Sequence, residues 1–245
     1  MVVRSVVDYR TAELVDVSTA TARAGEAGTT IVWDLSHAAG VVAVDLESWG
    51  VELAVGCTYK FLNGGPGAPA FTYVRSEIQD RVVQPIWGWY GQADQFAMDR
   101  PFEPRPGIGR LLNGTPAVLS LTAAREGIRL TAEVGIGPIA AKARRLTTHA
   151  IDLADDLGLE VATPREPDRR GGHVAVRHPD AVALHAALAE RRVVVDKRDP
   201  DILRLGLSPL TTRFVDVHDG LTALAELIAG GRRGGSPTDR ASWSS

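Results

Sequence analysis

Two short apolar runs each end where a reactive side chain follows, and few folds accommodate that arrangement twice in sixty residues. Residues 29–33 are β-branched and aromatic and run straight into Asp34; residues 53–56 stop just before Cys57, with Lys60 following. Runs of this kind predict buried strands. Ahead of the first, Leu14, Val17, Ala20 and Ala24 recur at helical spacing, and Gly25 and Gly28 close the stretch. Strand, helix and strand in that order predict an α/β unit with parallel strands. Such sheets bind ligands at the carboxyl ends of their strands, which is where Asp34 and Lys60 stand.

The remaining pattern predicts a further strand over 69–74, a short helix over 78–83 and a long irregular segment over 86–116, dense in Trp, Gly, Pro and Tyr. Helices follow from Pro116 to about Glu133 and from Ile139 to Leu157. A smaller α/β pattern comes next. Its strands are predicted at 159–163, 173–177, 193–196 and 202–205, with helices at 180–191 and 215–228. The Gly-, Ser-, Arg- and Pro-rich stretch 232–245 predicts a disordered tail. The chain opens directly on Val2, Val3, Val6 and Val7, which reads as a first strand or as a longer fold entered late.

Composition narrows the function classes. A net charge of −3 gives nucleic acid and anionic membrane no electrostatic attraction, and no apolar run approaches a membrane span. The single cysteine, Cys57, excludes an internal disulfide and suits a reducing cytoplasm. His149, His173, His178, His185 and His218 are scattered without ligand spacing, so no metal site is expected.

The chemistry lies in two segments. Asp34-Leu35-Ser36-His37-Ala38-Ala39-Gly40 carries a carboxylate at a strand end with a histidine close behind. Alone, it also reads as a helix-capping aspartate beside a chance histidine. Tyr59-Lys60-Phe61-Leu62-Asn63-Gly64-Gly65-Pro66-Gly67 carries a lysine ahead of a glycine-rich turn. A lysine at the end of a buried strand is costly unless paired or neutralised, which points to Schiff-base chemistry. The order is wrong for a nucleotide phosphate loop, where lysine follows the glycines. Taken together, an aldehyde-binding lysine and a carboxylate able to hold a proton on a pyridine nitrogen are what pyridoxal phosphate requires.

These two segments, with Gly88-Trp89-Tyr90-Gly91, Phe96-Ala97-Met98-Asp99, Asn113-Gly114-Thr115-Pro116, Asp196-Lys197-Arg198 and 203–210 (LRLGLSPL), resemble kynureninase. That family is a fold type I, class V aminotransferase-like group of pyridoxal-phosphate enzymes. The resemblance covers about residues 5–230. It implies a PLP-dependent transferase-like α/β fold, with an incomplete, mostly parallel large domain over 1–115 and a linking helix plus small C-terminal domain over 116–231. It also implies hydrolysis of L-kynurenine or 3-hydroxykynurenine to anthranilate or 3-hydroxyanthranilate and L-alanine, usually by a homodimer. Lys60 would be the Schiff-base lysine and Asp34 the partner of the pyridine nitrogen. His37 would lie beside the cofactor. Tyr59 would donate to the phosphate and assist proton transfer. Trp89 and Thr115 would reach the phosphate, in the partner subunit's site, and Arg204 would clamp the substrate α-carboxylate.

The sequence departs from the family pattern in two ways. The Gly-Trp-aromatic-Gly-His motif ends in Gln92, and the family's N-terminal stretch, with its stacking aromatic and phosphate cradle, has no counterpart ahead of residue 1. A separate N-terminal chain is then an expected partner. The alternative function is a catalytically inactive remnant or interaction protein of the same family. A cysteine desulfurase is disfavoured, because its catalytic cysteine sits on a mobile loop, whereas Cys57 lies in an apolar run ahead of the lysine.

Overall fold

The computed structural model describes residues 1–96 and 101–234. Contacts divide the chain into two compact units, one of residues 1–6 and 15–135, the other of residues 7–14 and those from 136 onward. The motif residues 97–99 and the predicted tail beyond 234 lie outside the described residues.

The first unit is built on a four-stranded sheet, β1 (Val2–Ser5), β2 (Ile31–Asp34), β3 (Leu53–Cys57) and β4 (Ala70–Val74), in that order across the sheet. β1, β2 and β3 are parallel, and β4 returns antiparallel to β3. Helix α1 (Val17–Glu26) connects β1 to β2. It starts after Asp16, whose carboxylate accepts from the Thr19 amide at 3.0 Å. Leu14, which fits the helical spacing, instead pairs with Val7 in an isolated bridge. Trp33, Val51 and Ala54 are fully buried, and the Trp33 indole donates to Thr21 Oγ1 at 3.1 Å, so the one polar atom of this ring is satisfied. The predicted helix at 78–83 is a 3-10 segment, Ser76–Arg81, and further 3-10 turns punctuate the irregular stretch. Helix α2 (Val118–Val134) completes this unit. The sequence pattern groups it with the second domain, whereas its contacts group it with the first.

The second unit holds α3 (Ile136–Asp156), β5 (Glu160–Val161), β6 (His173–Arg177), α4 (Ala181–Glu190), β7 (Asp196–Arg198), β8 (Ile202–Gly206) and α5 (Phe214–Gly234). Its sheet runs β5-β6-β8-β7, and every pairing is antiparallel. One continuous core joins Leu146, Ala150, Val174, Leu188, Leu203 and Leu221 from the helices and the two central strands. The apolar run 193–195 is not the strand expected of it. Val193 and Val195 pack against the core while Val194 is 92% exposed. Pairing to β8 begins only at Asp196, opposite Arg204. Alternation in sequence looks the same whether or not the ladder has started.

No described helix is long and apolar enough to cross a membrane. Leu221→Ala, at a fully buried position, is expected to cost about 2–5 kcal/mol in urea unfolding. Val194→Ala should stay within about 0.5 kcal/mol.

Candidate functional site

Asp34 is the last residue of β2, and its surroundings follow from the sheet register. Ser5 ends β1 directly beside it, so the serine hydroxyl donates to Asp34 Oδ2 at 3.1 Å. The chain turns immediately after the strand, and the Ser36 amide donates to Oδ1 at 2.9 Å. Burial by itself would raise the carboxyl pKa. Donation from Ser36 and Ser5 and the nearby His37 outweigh burial and hold it below the usual carboxylate value. Sequence reasoning missed Ser5, because only pairing between strands brings it to Asp34.

The lysine segment lies at the same end of the neighbouring strand. β2 and β3 pair in parallel with Asp34 opposite Val55, and the Leu35 amide continues the ladder to the Val55 carbonyl at 2.8 Å. β3 ends at Cys57, whose thiol lies 3.7 Å from the Ser36 carbonyl. Lys60 follows in a tight turn closed by Asn63 N donating to Lys60 O at 2.9 Å and Gly64 N to Thr58 O at 2.8 Å. Asn63 takes a positive φ of 57° at its corner. The Lys60 ammonium lies 5.3 Å from the centroid of the Tyr59 ring, which is half exposed.

Two glycines bring the backbones together. Gly40, at φ +88°, has no room for a side chain, since a Cβ would stand 2.6 Å from the Phe61 carbonyl oxygen. On α2, Gly127 sits against the Asn63 and Leu62 carbonyls with equally little room. The turn carrying Lys60 is therefore held between the segment that follows Asp34 and helix α2.

The Trp89 and Thr115 motifs also meet each other. Tyr90 N donates to the Asn113 carbonyl at 3.0 Å, the Asn113 side chain donates to the Ile86 carbonyl, and Gly88 packs against Asn113. Trp89 is 42% exposed and meets Tyr90 and Phe96 edge-on at 4.8 and 6.0 Å. Thr115 is exposed and does not cap α2, whose N-cap is Ala117. Gln92, at the family's histidine position, accepts from the Glu103 amide at 2.8 Å.

Arg204 lies in the second unit and is 8% exposed. Its Nη1 donates to the Tyr9 carbonyl at 2.5 Å, and its Nη2 pairs with Asp196 Oδ2. Its Nε is buried without a protein partner among the described residues. An unmet donor of this kind costs about 1–3 kcal/mol and calls for an explanation.

Ser5→Ala is expected to raise the Asp34 pKa toward its ordinary value, read by carboxyl carbon shifts in an NMR titration. Because folding lowers that pKa, ionised Asp34 stabilises the fold above the ordinary carboxylate value. The contribution fades as pH falls through the lowered one. The stability gap between wild type and Asp34→Asn should therefore shrink below about pH 4 in urea titrations.

Comparison with known proteins gives a consistent result. A family model described as the kynureninase C-terminal domain matches residues 139–224. Kynureninase from Pseudomonas fluorescens is 41% identical over 226 residues, covering 91% of this chain and 54% of that protein. The Deinococcus radiodurans kynureninase is 43% identical, covering 91% and 55%. The chain thus spans about half the length of the curated relatives it matches. Among solved structures, the apo cysteine desulfurase of Thermococcus onnurineus NA1 superposes with a TM-score of 0.80 at 19% identity, covering 94% of this chain and 60% of that one. A C-DES variant with glycine covalently linked to its PLP cofactor gives 0.81 at 15% identity, covering 92% and 60%. An alanine–glyoxylate aminotransferase from Nostoc sp. gives 0.70 at 20%, covering 93% and 61%. These structures share the fold. Over 91% of its length the chain is similar in sequence to kynureninases, and its α/β fold is that of these desulfurase, C-DES and aminotransferase structures.

Proposed function

We propose that this chain carries the cofactor lysine and the C-terminal domain of a kynureninase-type hydrolase. The proposed enzyme converts L-kynurenine or 3-hydroxykynurenine to the corresponding anthranilate and L-alanine. The observation that supports this best is the juxtaposition of Asp34 and the Lys60 turn at the same end of two adjacent parallel strands, in a chain 41% identical to a kynureninase.

The donor set fits pyridoxal phosphate. A carboxylate held ionised by Ser5 and Ser36 suits a protonated pyridine nitrogen, and a lysine amine suits an aldehyde. Pyridoxal phosphate, when bound, supplies an electron sink for the substrate's α-carbon. Asp34 would keep a proton on the ring nitrogen, and His37, near Asp34, would lie beside the ring. Lys60 would hold the cofactor through its amine and, when free, would serve as the base that takes the substrate's α-proton. Tyr59, next to Lys60, would donate to the phosphate and assist that transfer. Water would add to the substrate's γ-carbonyl, and the bond between its β and γ carbons would break, the γ-carbon leaving as the anthranilate carboxylate while the electron pair stays with the β-carbon, which takes up a proton to give L-alanine. Arg204 receives the α-carboxylate. Trp89 and Thr115, both exposed, would reach the phosphate of a partner subunit in a homodimer. The single cysteine suits a cytoplasmic setting.

The visible spectrum of the purified chain titrated with pyridoxal phosphate tests this reading. A band that Lys60→Ala abolishes, and that kynurenine alters, is the expected result. No band, or one unchanged in the variant, rejects cofactor binding by this chain and favours a non-catalytic role.

A further inference from the structure

We propose that Thr58 is the positioning residue of Lys60, its buried hydroxyl closing the neck of the loop from which the lysine reaches. The inference rests on the reading of Lys60 as the cofactor lysine. It goes further by naming what fixes that lysine's backbone relative to the sheet.

β3 and β4 pair antiparallel, and the last pair of their ladder is Cys57 opposite Ala70. The next register position would set Thr58 against Pro69, and proline has no N–H with which to carry the ladder on. The Thr58 side chain takes over there, its hydroxyl donating to the Pro69 carbonyl at 2.6 Å. The Thr58 carbonyl, which Pro69 cannot meet, accepts from the Gly64 amide at 2.8 Å. Thr58 thus holds both the far end and the middle of the loop 58–69. It is 4% exposed, so bulk water does not stand in for a lost partner. Gly64 packs directly against it. A Cβ at Gly64 would stand 2.9 Å from the Thr58 carbonyl oxygen and 3.1 Å from its hydroxyl, so the neck closes only over a residue without a side chain. Inside the neck, Asn63 N donates to Lys60 O at 2.9 Å and Ala68 N to Gly65 O at 3.2 Å. Lys60 stands two residues from Thr58, with its own turn tied back to that neck. A lysine side chain is long and rich in rotamers, so fixing the backbone beneath it is what confines the amine.

The chain has three lysines, Lys60, Lys142 and Lys197, so attachment of pyridoxal phosphate can be counted at each. The purified chain is treated with pyridoxal phosphate and reduced with borohydride, and the label on each lysine is quantified by peptide mass spectrometry. Thermal unfolding is recorded for each variant. Wild type should carry the label chiefly on Lys60. Thr58→Val, which keeps the shape and loses the donor, should cut the Lys60 label about 10-fold and leave Lys142 and Lys197 unchanged. Thr58→Ser, which keeps the donor, should stay within about 3-fold of wild type. If Thr58→Val does not fold, or folds with the Lys60 label unchanged, Thr58 is purely structural and the proposal is overturned. If Thr58→Ser loses as much label as Thr58→Val, the methyl group and not the hydroxyl sets the turn, which also overturns it. If wild type labels the three lysines alike, the reading of Lys60 itself fails and the proposal falls with it.

Discussion

The parallel pairing of β2 with β3 is the constraint on which the candidate site depends. Parallel strands present their carboxyl ends on one side of the sheet, so whatever follows β2 and whatever follows β3 emerge together. Asp34 and the Lys60 turn are 26 residues apart in sequence and belong to one neighbourhood only because Asp34 pairs opposite Val55. A register slip of one residue would turn the Asp34 side chain to the opposite face. The same ladder reaches one strand further, to β1, and delivers the Ser5 hydroxyl that helps keep Asp34 ionised. Sheet topology thus sets the position of the carboxylate and supplies one of the donors that keep it ionised, beside the local Ser36.

Close backbone approach does the rest in the first unit. Gly40 and Gly127 leave no space for a Cβ beside Phe61 and Asn63, so the segment after Asp34 and helix α2 converge on the turn that carries Lys60. Their lack of side chains lets main-chain atoms wedge the lysine turn in place. The geometry of the turn rests on glycine and on Asn63 in its left-handed corner.

The second unit solves a different problem, the placing of a buried cation. An arginine 8% exposed in a central strand is tolerated because two acceptors share its charge and hydrogen bonds. Those acceptors come from an edge strand and from residues 7–14, which lie far from β8 in sequence and belong to this unit by their contacts. The charged triplet Asp196-Lys197-Arg198 also marks β7 as an edge, where charge discourages further pairing.

The sequence alone indicated most of the elements and singled out the candidate residues. Buried strands read from their β-branched runs, and helices from their apolar spacing. Asp34 and Lys60 stood out because apolar strands do not end in charge by accident, and Arg204 because charge is rare within such a run. The resemblance of those motifs to kynureninase, carried by residues rather than by periodicity, agrees with the sequence similarity across 91% of the chain. Tertiary structure decided the partners. Ser5 beside Asp34, Gly40 beneath Phe61, and Asp196 with Tyr9 around Arg204 are each contacts between segments remote in sequence or strands whose register no single segment encodes. Leu14 left its helical pattern and the run 193–195 left its strand for the same reason. Local periodicity reports which face is apolar, whereas hydrogen-bond pairing is settled by what the folded chain brings alongside.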